Sequence, residues 1–539
     1  MKRERLYLFD TTLRDGAQSQ GVAFTVEDKR AIAEALDGIG IDYVEGGWPG
    51  ANPTDTAFFA APPKLKRAKM TAFGMTRRPG RSTSNDPGLK AVLDADVPAA
   101  CLVGKTWDWQ IELALGTTLD EAVKLIGESI AAAVARGREA MLDAEHFFDG
   151  YKANPKFTLD CARAALDAGA RWIVLCDTNG GTLPHEVERI VAEVAKHIPG
   201  DRLGVHAQND TDNAVANSLA AVRAGVRQVQ GTLNGIGERC GNANLVSIIP
   251  TLLLKKGFSD KFETGITAGG LEHLTHVSRL LDERLNRAPN IHAPYVGAAA
   301  FAHKGGLHGS AVAKDPRTYE HVPPETIGNR RHVLVSDQAG KANVVLRLKE
   351  VGIDVASDDP RLTSLITDMK EREHQGYSYD DAPASFELMA LRALGRIPEY
   401  FHVASFRVIV ERRYNQRGDL VTTSDAMVKS VVDGETLLSV GEGNGPVNAL
   451  DHALRQELGK YSAYLADLEL VDFKVRILTQ GTGAVTRVMI ESRDAKGHRW
   501  GTVGVSANII DASFQALFDS MVYKLYRSGA PAAVIKAAE

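Results

Sequence analysis

The chain has 539 residues, a formal net charge of −5 and an apolar content of 44%, so it can bury large cores and we expect two or three domains. The acidic and basic residues are interspersed without a long basic block, which argues against nucleic-acid binding and against a polybasic membrane anchor. The four cysteines show no zinc-knuckle spacing. The N-terminus lacks the apolar core of a signal peptide, and no stretch approaches the roughly 20 apolar residues of a membrane helix. We therefore expect a cytoplasmic protein.

From residue 5 to about residue 256, short apolar runs alternate with amphipathic helical patterns. Eight such pairs within one continuous stretch predict a (β/α)8 barrel. A doubly wound parallel sheet is the competing interpretation, but no run leads into a G-x-G-x-x-G turn. The eight runs are "LYLFDTTLR", "YVEGGW", "MTAFG", "AACLVGK", "MLDAEHF", "WIVLCDT", "LGVHAQND" and "QVQGTLN".

Polar side chains that could act in catalysis or binding lie mainly at the ends of these runs. In a barrel of this kind the carboxyl ends of all strands face one mouth, where the βα loops build the active site. Segments distant in sequence are therefore expected to meet in one pocket. The residues concerned are Arg14, Asp15, Glu45, Glu145, Asp177, Thr178 and the stretch from His206 to Asp210.

Residues 285–400 mix Pro, Gly and His with short helical patterns such as "KANVVLRLKEVG", and we interpret this segment as a linker with small helical subdomains. Within it, "HKGGLHG" carries His303 and His308 in a Gly-rich setting that is typical of a loop able to close over a site. Surface imidazoles without a catalytic role are the alternative interpretation.

From about residue 403 the pattern changes to long alternating strands followed by a helix, and the order then repeats. Aligning "VGEGNGPVNALDHAL" with "VGVSANIIDASFQAL" gives an offset of 63 residues (503 minus 440). The pattern predicts two related βββα units in a C-terminal α+β domain.

His206 and Gln208 are two residues apart on a predicted strand, so their side chains point to the same face. Two imidazoles at these positions, with the carboxylate of Asp15, would form a three-ligand metal site with open positions, the feature that distinguishes catalytic from structural sites. A hydrogen-bonded core histidine without a metal is the alternative. Glu145 at the same mouth is suited to proton transfer, unless it is a salt-bridged rim residue. Arg14 offers a rigid fork of donors for a carboxylate or carbonyl oxygen.

Taken together, six stretches resemble the acyl-transferring, Claisen-condensing barrel enzymes, the family of isopropylmalate, homocitrate and citramalate synthases. The resemblance extends over essentially the whole chain, and "EGGWPGANPTD" is most similar to the citramalate-forming branch. The six stretches are "FDTTLRDGAQ", "DAEHFFDGYK", "CDTNGG", "HAQND", "NGIGERCGNANL" and "AFAHKGGLHGSAV".

The resemblance implies a TIM-barrel catalytic domain at 1–280, linker subdomains that cap the active site at 281–400 and a regulatory domain at 401–539. It implies that acetyl-CoA is condensed with pyruvate to give (R)-citramalate and CoA, an entry into isoleucine synthesis. A divalent metal (Mn²⁺, Mg²⁺ or Zn²⁺) would hold the 2-oxo acid and polarise its carbonyl group.

The same resemblance implies a role for each candidate residue. Arg14 would stabilise the developing alkoxide and Thr178 would bind the substrate carboxylate. Glu145, with His308 and Tyr319, would remove a proton from acetyl-CoA. The implied metal ligands are Asp15, His206, Gln208 and Asn242. A homodimer is expected in which the linker of one chain caps the barrel of the other, with isoleucine as the effector of the C-terminal domain.

Gln208 departs from the family pattern, which has a second metal-binding histidine there. An amide oxygen is a harder donor than an imidazole nitrogen and favours Mg²⁺ or Mn²⁺ over Zn²⁺. Three explanations stay open: Gln208 ligates through its carbonyl oxygen, a water fills the position, or the site is disabled. We favour retained metal binding because Asp15, His206, Glu145 and Arg14 all persist.

Other functions stay open as well. One is an isopropylmalate synthase-like condensation with a larger 2-oxo acid, and another is a metal-dependent acyl-CoA lyase or aldolase on the same barrel. A non-enzymatic alternative is an amino-acid sensor with a degenerate barrel. The C-terminal domain could also serve dimerisation alone, without a ligand.

Overall fold

The computed structural model of the chain describes residues 3–333, 341–356, 358–380, 382–481 and 483–534. These residues form two compact units. The first contains the chain up to Phe301 together with His321–Arg331, and the second contains Ala302–Glu320 and the chain from His332 onward. Within the described ranges, no helix is both long enough and apolar enough to cross a membrane.

In the described part of the first unit, eight parallel strands close into a barrel. The last strand pairs with the first, with Gln228 opposite Tyr7, so the sheet has no free edge. This confirms the predicted (β/α)8 barrel and excludes the doubly wound sheet. The strands are β1 (Tyr7–Asp10), β2 (Tyr43–Gly47), β3 (Lys69–Met75), β4 (Ala99–Lys105), β5 (Glu139–Glu145), β6 (Trp172–Asp177), β7 (Leu203–Ala207) and β8 (Gln228–Gly231).

One main helix follows each barrel strand and buries its apolar face against the sheet. The first of them shows how the sequence sets the ends: Thr25 and Asp28 form a capping box at its start, and Gly40 ends it with φ of 102°, a conformation that favours glycine. The helices are α1 (Val26–Ile39), α2 (Pro53–Ala60), α3 (Pro87–Asp94), α4 (Leu119–Ala135), α5 (Pro155–Asp167), α6 (Pro184–Val194), α7 (Ala214–Ala224) and α8 (Leu245–Leu254).

Shorter elements complete the first unit. The two-residue strand Glu4–Arg5 pairs with Phe262–Glu263 and ties the segment before the barrel to the segment after it. The short helices Asp108–Gln110, Ile111–Leu115 and Phe147–Ala153 lie in the connections after β4 and β5, while Ala268–Glu272 and α9 (Leu274–Arg284) follow the barrel.

The two ends of the barrel interior differ in character. At the amino ends of the strands, Trp172 is fully buried, lies with its ring centroid 5.2 Å from that of Tyr7, and donates a hydrogen bond from Nε1 to the hydroxyl of Tyr43 over 3.2 Å. This aromatic cluster fills one end. The polar residues singled out in the sequence occupy the other end, which we call the polar mouth.

The second unit begins with the helices of the predicted linker. They bury an apolar cluster that includes Leu348, Leu362, Met369 and Phe386. The helices are α10 (Gly306–Lys314), α11 (Lys341–Glu350), α12 (Arg361–His374) and α13 (Pro383–Ala393), and the short strands Ala302–His303 and His332–Val333 pair in parallel.

The C-terminal part contains two three-stranded antiparallel sheets, each followed by a helix. This confirms the two predicted βββα units. The first βββα repeat consists of β9 (His402–Tyr414), β10 (Leu420–Val432), β11 (Glu435–Gly443) and α14 (Pro446–Gln456). The second βββα repeat consists of β12 (Glu469–Ile477), β13 (Thr486–Arg493), β14 (Arg499–Ser506) and α15 (Ile509–Arg527).

The 63-residue offset also holds in the hydrogen bonds. Ser439 Oγ donates to the carbonyl oxygen of Ala453 over 2.7 Å, and Thr502 Oγ1 donates to that of Ala516 over 2.8 Å. Each donor lies on the third strand of its unit and each acceptor on the helix that covers it. The sequence match between the two units therefore reflects a structural repeat.

Candidate active site

The polar mouth of the barrel opens into a cavity of about 400 Å³. Side chains from the carboxyl ends of all eight strands, or from the loops that follow them, line its wall, as the sequence predicted for this fold. The lining residues include Arg14, Asp15, Trp48, Phe73, Lys105, Asp143, Glu145, Thr178, His206, Gln208 and Arg239.

Asp15, His206 and Gln208 meet at this mouth. His206 Nε2 lies 3.3 Å from Asp15 Oδ2, and Gln208 Nε2 lies 3.4 Å from the same oxygen. Asn242 joins them because it forms a β-bridge with Gln208. The four residues that the resemblance implies as metal ligands are thus buried side by side.

Three oxygens in this group have no hydrogen-bond partner among the described residues: Asp15 Oδ1, Gln208 Oε1 and Asn242 Oδ1. A buried carbonyl or carboxylate oxygen without a partner costs free energy of roughly 1–3 kcal/mol, more when it is charged. A divalent cation bound at this group would supply partners for such oxygens. Three oxygens and one imidazole nitrogen form a donor set that suits Mg²⁺ or Mn²⁺, so the residues fit the implied metal.

A hydrogen-bonded chain inside the barrel orients the imidazole of His206. Asp143 Oδ1 accepts from Gln230 Nε2 over 3.0 Å, which leaves Gln230 Oε1 to accept from His206 Nδ1 over 2.9 Å. With the proton on Nδ1, Nε2 is free to act as a ligand. Asp143 and Gln230 therefore set the tautomer of His206 that a metal requires.

The charges around Asp15 keep its carboxyl group ionised. Burial raises its pKa, but the charge of Arg14 and the hydrogen bonds from His206 and Asn242 outweigh burial and hold the pKa well below the usual range. Burial lowers the pKa of His206, and the hydrogen bond and charge of Asp15 reverse this, so that the net direction is upward. Metal and proton would therefore compete for His206 Nε2.

Arg14 is held rigidly on two sides. Its Nε donates to Glu45 Oε2 over 2.7 Å, and its guanidinium carbon lies 3.9 Å from the ring centroid of Phe73. Burial, assisted by the nearby charge of Asp143, raises the pKa of Glu45 to about 7, although Arg14 opposes this. The guanidinium is thus presented at the mouth in one orientation.

A second group of possible metal ligands, Glu45, Cys101 and Asp143, has ligand atoms within 4.8 Å of one another. Burial raises the pKa of the Cys101 thiol well above its ordinary value, so the thiol stays neutral. Arg14 already neutralises Glu45. The group around Asp15 and His206 is therefore the better candidate.

Glu145 and Thr178 also face the mouth, but they differ in their partners. Glu145 Oε2 accepts from Lys105 Nζ over 2.7 Å. Thr178 Oγ1 accepts from the backbone N–H of His146 over 2.8 Å, so its own proton remains available to an incoming acceptor. Proton transfer by Glu145 and carboxylate binding by Thr178 both suit these positions and stay predictions.

The loop after β8 brings Asn242 to the site and is fixed by Arg239. The guanidinium of Arg239 binds Asp210 through both carboxylate oxygens, at 2.7 and 2.8 Å, and donates to the backbone oxygen of Thr178 over 2.8 Å. A Cβ added at Gly237 would lie 2.1 Å from Asn242 Nδ2, so a larger residue at this position would displace the Asn242 side chain.

His308 and Tyr319 belong to the second compact unit. Their rings stack with centroids 4.1 Å apart and an interplanar angle of 28°, and the side chain of Tyr319 is 44% exposed. The two residues are thus one local pair. Their participation in the barrel site stays a prediction.

Sequence reasoning did not select three residues that the structure brings to the site: Lys105, Asp143 and Gln230. Asp143 and Gln230 lie within apolar runs, where alternation alone assigns them to the barrel interior, whereas Lys105 ends the run "AACLVGK" in the same way as the residues that were selected. The alternation of side chains along a strand could have identified Asp143, because it precedes Glu145 by two residues and therefore points to the same face of the sheet.

Family models match three segments of the chain. Residues 5–278 match the HMGL-like model, 295–376 match the homocitrate synthase post-HMGL domain-like model, and 382–525 match the LeuA allosteric (dimerisation) domain.

Two relatives at about 50% identity are (R)-citramalate synthases, and a more distant relative is a 2-isopropylmalate synthase. The chain is 49% identical over 528 residues to the (R)-citramalate synthase of Aquifex aeolicus, covering 97% of this chain and 98% of that relative. It is 50% identical over 525 residues to the (R)-citramalate synthase of Geobacter sulfurreducens, with 97% and 98% covered. Identity to the 2-isopropylmalate synthase of Pectobacterium atrosepticum is 32% over 526 residues, with 95% and 92% covered. The chain belongs to the (R)-citramalate synthase family.

Proposed function

We propose that this chain condenses acetyl-CoA with pyruvate and water to give (R)-citramalate and CoA. The observation that carries the proposal is identity of 49 and 50% with (R)-citramalate synthases over nearly the entire chain, against 32% with a 2-isopropylmalate synthase. The match over the LeuA allosteric domain at 382–525 also argues against a lyase, since lyases end soon after the barrel.

Asp15, His206, Gln208 and Asn242 would hold a divalent metal in this reaction, and three unpaired buried oxygens support that assignment. When bound, such a metal polarises the keto group of the 2-oxo acid. The oxygen-rich donor set supports Mg²⁺ or Mn²⁺ over Zn²⁺.

Arg14 and Thr178 would bind and orient pyruvate. The fixed guanidinium of Arg14 faces the mouth, where it would donate to the keto oxygen as negative charge develops there. The Thr178 hydroxyl would donate to the carboxylate.

Glu145 would take a proton from the acetyl methyl group, and the electron pair of that C–H bond would form the enolate. The enolate carbon then bonds to C2 of pyruvate, while the keto electron pair moves to oxygen and that oxygen gains a proton. Water finally cleaves the thioester, so CoA leaves as the thiol and the acetyl carbon becomes a carboxylate. His308 and Tyr319, contributed by the partner chain of a domain-swapped homodimer, would assist the proton transfers.

A homodimer is supported by the first C-terminal sheet. Its inner face packs against α14 through Ala426 and Val428, whereas Met427, Leu438 and Val440 on the outer face are 43, 56 and 50% exposed. In the second sheet the corresponding outer position is Val503, which is buried beside α13. The backbone N–H of Val503 donates a hydrogen bond to Ser385 Oγ on that helix. An apolar face exposed in one repeat and covered in the other is typical of an interface.

Further parts of the proposal concern organisation and regulation. Residues 1–280 would form the catalytic domain, 281–400 the capping linker and 401–539 the regulatory domain with isoleucine as effector, in a cytoplasmic enzyme of isoleucine synthesis. The free thiols of Cys101, Cys161 and Cys176 are buried, which suits a reducing compartment.

The proposal is tested by thiol release from acetyl-CoA with Mn²⁺ or Mg²⁺, with and without pyruvate. We expect release that depends on pyruvate, and isoleucine should lower the rate. Release that is independent of pyruvate, or binding of isoleucine with no turnover under any metal, would contradict the proposal and favour a lyase-like enzyme or a sensor.

A further inference from the structure

Lys105 occupies the last position of β4, directly beside Glu145, the last residue of β5, and the two are paired in the sheet register. Lys105 Nζ lies 2.7 Å from Glu145 Oε2, and both side chains line the cavity. They are 17 and 26% exposed, so water screens the pair only partly. The Thr106 backbone N–H and hydroxyl both donate to the carbonyl oxygen of Glu145, at 3.1 and 2.8 Å, which fixes the two strand ends together.

The cavity lining contains two other permanently cationic side chains, and each has an acidic partner of its own. Arg14 is paired with Glu45 and stacked on Phe73. Arg239 donates from Nε and one terminal nitrogen to both carboxylate oxygens of Asp210. The partner of Lys105 is Glu145, the group that changes charge in the proposed reaction. When Glu145 gains a proton, Lys105 is therefore the cation that loses its counterion.

We propose that Lys105 is a catalytic residue that stabilises the enolate of acetyl-CoA. This inference rests on the proposed function. As the methyl proton moves to Glu145 Oε2, the C–H electron pair forms the C=C bond and the thioester C=O pair moves onto oxygen. The ammonium group of Lys105 stays protonated, and its hydrogen bond transfers from the carboxylate to that oxygen. When the enolate carbon bonds to pyruvate, the electron pair on the enolate oxygen re-forms the thioester C=O bond. The ammonium group of Lys105 pairs with the Glu145 carboxylate again once Glu145 has lost its proton.

The advantage of this arrangement is that charge separation in the cavity never increases. Before the step, the carboxylate balances the ammonium group, and after it the enolate does. Loss of one such preorganised donor typically lowers kcat by roughly 10²–10³-fold. Since acetyl-CoA carries no anionic oxygen at this point before proton transfer, KM is expected to change much less.

The test compares steady-state CoA release by the full chain and by Lys105→Met, which keeps the side-chain length but removes the charge. Lys105→Arg keeps the cation, and Lys152→Met is the matched control because Lys152 hydrogen-bonds Thr182 over 3.2 Å outside the cavity lining. Each is assayed with acetyl-CoA and with acetyl-CoA deuterated in the methyl group. Circular dichroism and metal content are measured on every variant.

We expect Lys105→Met to lower kcat by roughly 10²–10³-fold, to leave KM within a few-fold and to raise the deuterium isotope effect on kcat, because enolisation becomes rate-limiting. Lys105→Arg should recover part of the loss, and Lys152→Met should match the parent chain. A lysine with only a structural role would not raise the isotope effect. If Lys105→Met does not fold, Lys105→Gln replaces it in the comparison.

The assays distinguish failure of the role proposed for Lys105 from failure of the proposed function. If the parent chain releases CoA with pyruvate but Lys105→Met keeps its kcat within about threefold, or shows an unchanged isotope effect, the role of Lys105 is wrong and the proposed function stands. If the parent chain releases no CoA with any 2-oxo acid, the proposed function is wrong, and the role of Lys105 is wrong with it.

Discussion

Gln208 is the residue of the proposed metal site that departs from the family pattern. Its Oε1 has no hydrogen-bond partner among the described residues, and its Nε2 lies 3.5 Å from His206 Nε2. The amide thus lies beside both groups that would bind the metal but turns its nitrogen towards them, so ligation through Oε1 requires the amide to rotate by about 180°.

Gln208→His should therefore change metal preference more than it changes folding. We expect its affinity for Zn²⁺ relative to Mn²⁺ to rise by about tenfold or more, because an imidazole is a softer donor than an amide oxygen. Titration against a fluorescent chelator with each ion measures the ratio. Gln20→His, which adds an imidazole at an exposed loop residue, is the control. An unchanged ratio in Gln208→His, or failure of both proteins to bind a divalent ion at low-millimolar concentration, would contradict ligation by Gln208.

Asp10 makes the folding stability of the barrel depend on pH. It is fully buried at the end of β1, where burial raises its pKa to about 7 despite hydrogen bonds from the backbone and hydroxyl of Thr12. The folded state then holds a proton that the unfolded state, with a pKa near 3.8, has already released. Stability contributed by Asp10 is complete below about pH 4 and is lost as pH rises towards 7.

Asp10→Asn should remove this dependence. The difference in unfolding free energy between the parent chain and Asp10→Asn should change by at most about 1.4 kcal/mol per pH unit between pH 4 and 7, to the disadvantage of the parent. Urea unfolding followed by circular dichroism across this range measures it. A constant difference over the whole range would show that Asp10 is ionised in the folded state.

At the scale of elements, hydrophobic periodicity predicted the eight barrel strands and both βββα units because each strand is a short apolar or alternating run. The site was predictable where a polar residue ends a run, as with Asp15 and Glu145. Asp143 and Gln230 could not be selected in this way, because their function depends on a hydrogen bond between β5 and β8. Pairing across a barrel is a tertiary contact that a single sequence does not display.

Trp172 at the start of β6 stabilises the end of the barrel opposite the mouth. Its ring is fully buried, and the guanidinium carbon of Arg171 lies 3.7 Å from its centroid. Trp172→Ala would leave a large cavity and should lower the unfolding free energy of the barrel by about 3–5 kcal/mol. Denaturant unfolding monitored by circular dichroism measures this. A loss below 1 kcal/mol would mean that the aromatic cluster contributes little to the barrel.

At the scale of the whole molecule, the two C-terminal repeats share their hydrogen bonds but differ in what covers their outer faces. Helix α13 covers the second sheet, whereas Met427 and Val440 leave the first sheet apolar and exposed. The combined substitution Met427→Glu and Val440→Glu should shift the chain from dimer to monomer, because burying two unpaired carboxylates is costly. Ala495→Glu, in an exposed turn of the second unit, is the control.

Analytical ultracentrifugation at micromolar concentration measures this shift. The parent chain and Ala495→Glu are expected to sediment as dimers and the doubly substituted chain as a monomer. A doubly substituted chain that remains dimeric would place the interface elsewhere.

Condensation of acetyl-CoA with a small 2-oxo acid at the polar mouth of the barrel can be measured directly. The most direct measurement is the initial rate of CoA release with pyruvate, 2-oxobutyrate and 2-oxoisovalerate in parallel, with chiral chromatography of the products. We predict the highest kcat/KM with pyruvate and (R)-citramalate as its product. A higher kcat/KM with 2-oxoisovalerate, or CoA release without formation of citramalate, would contradict the proposed condensation.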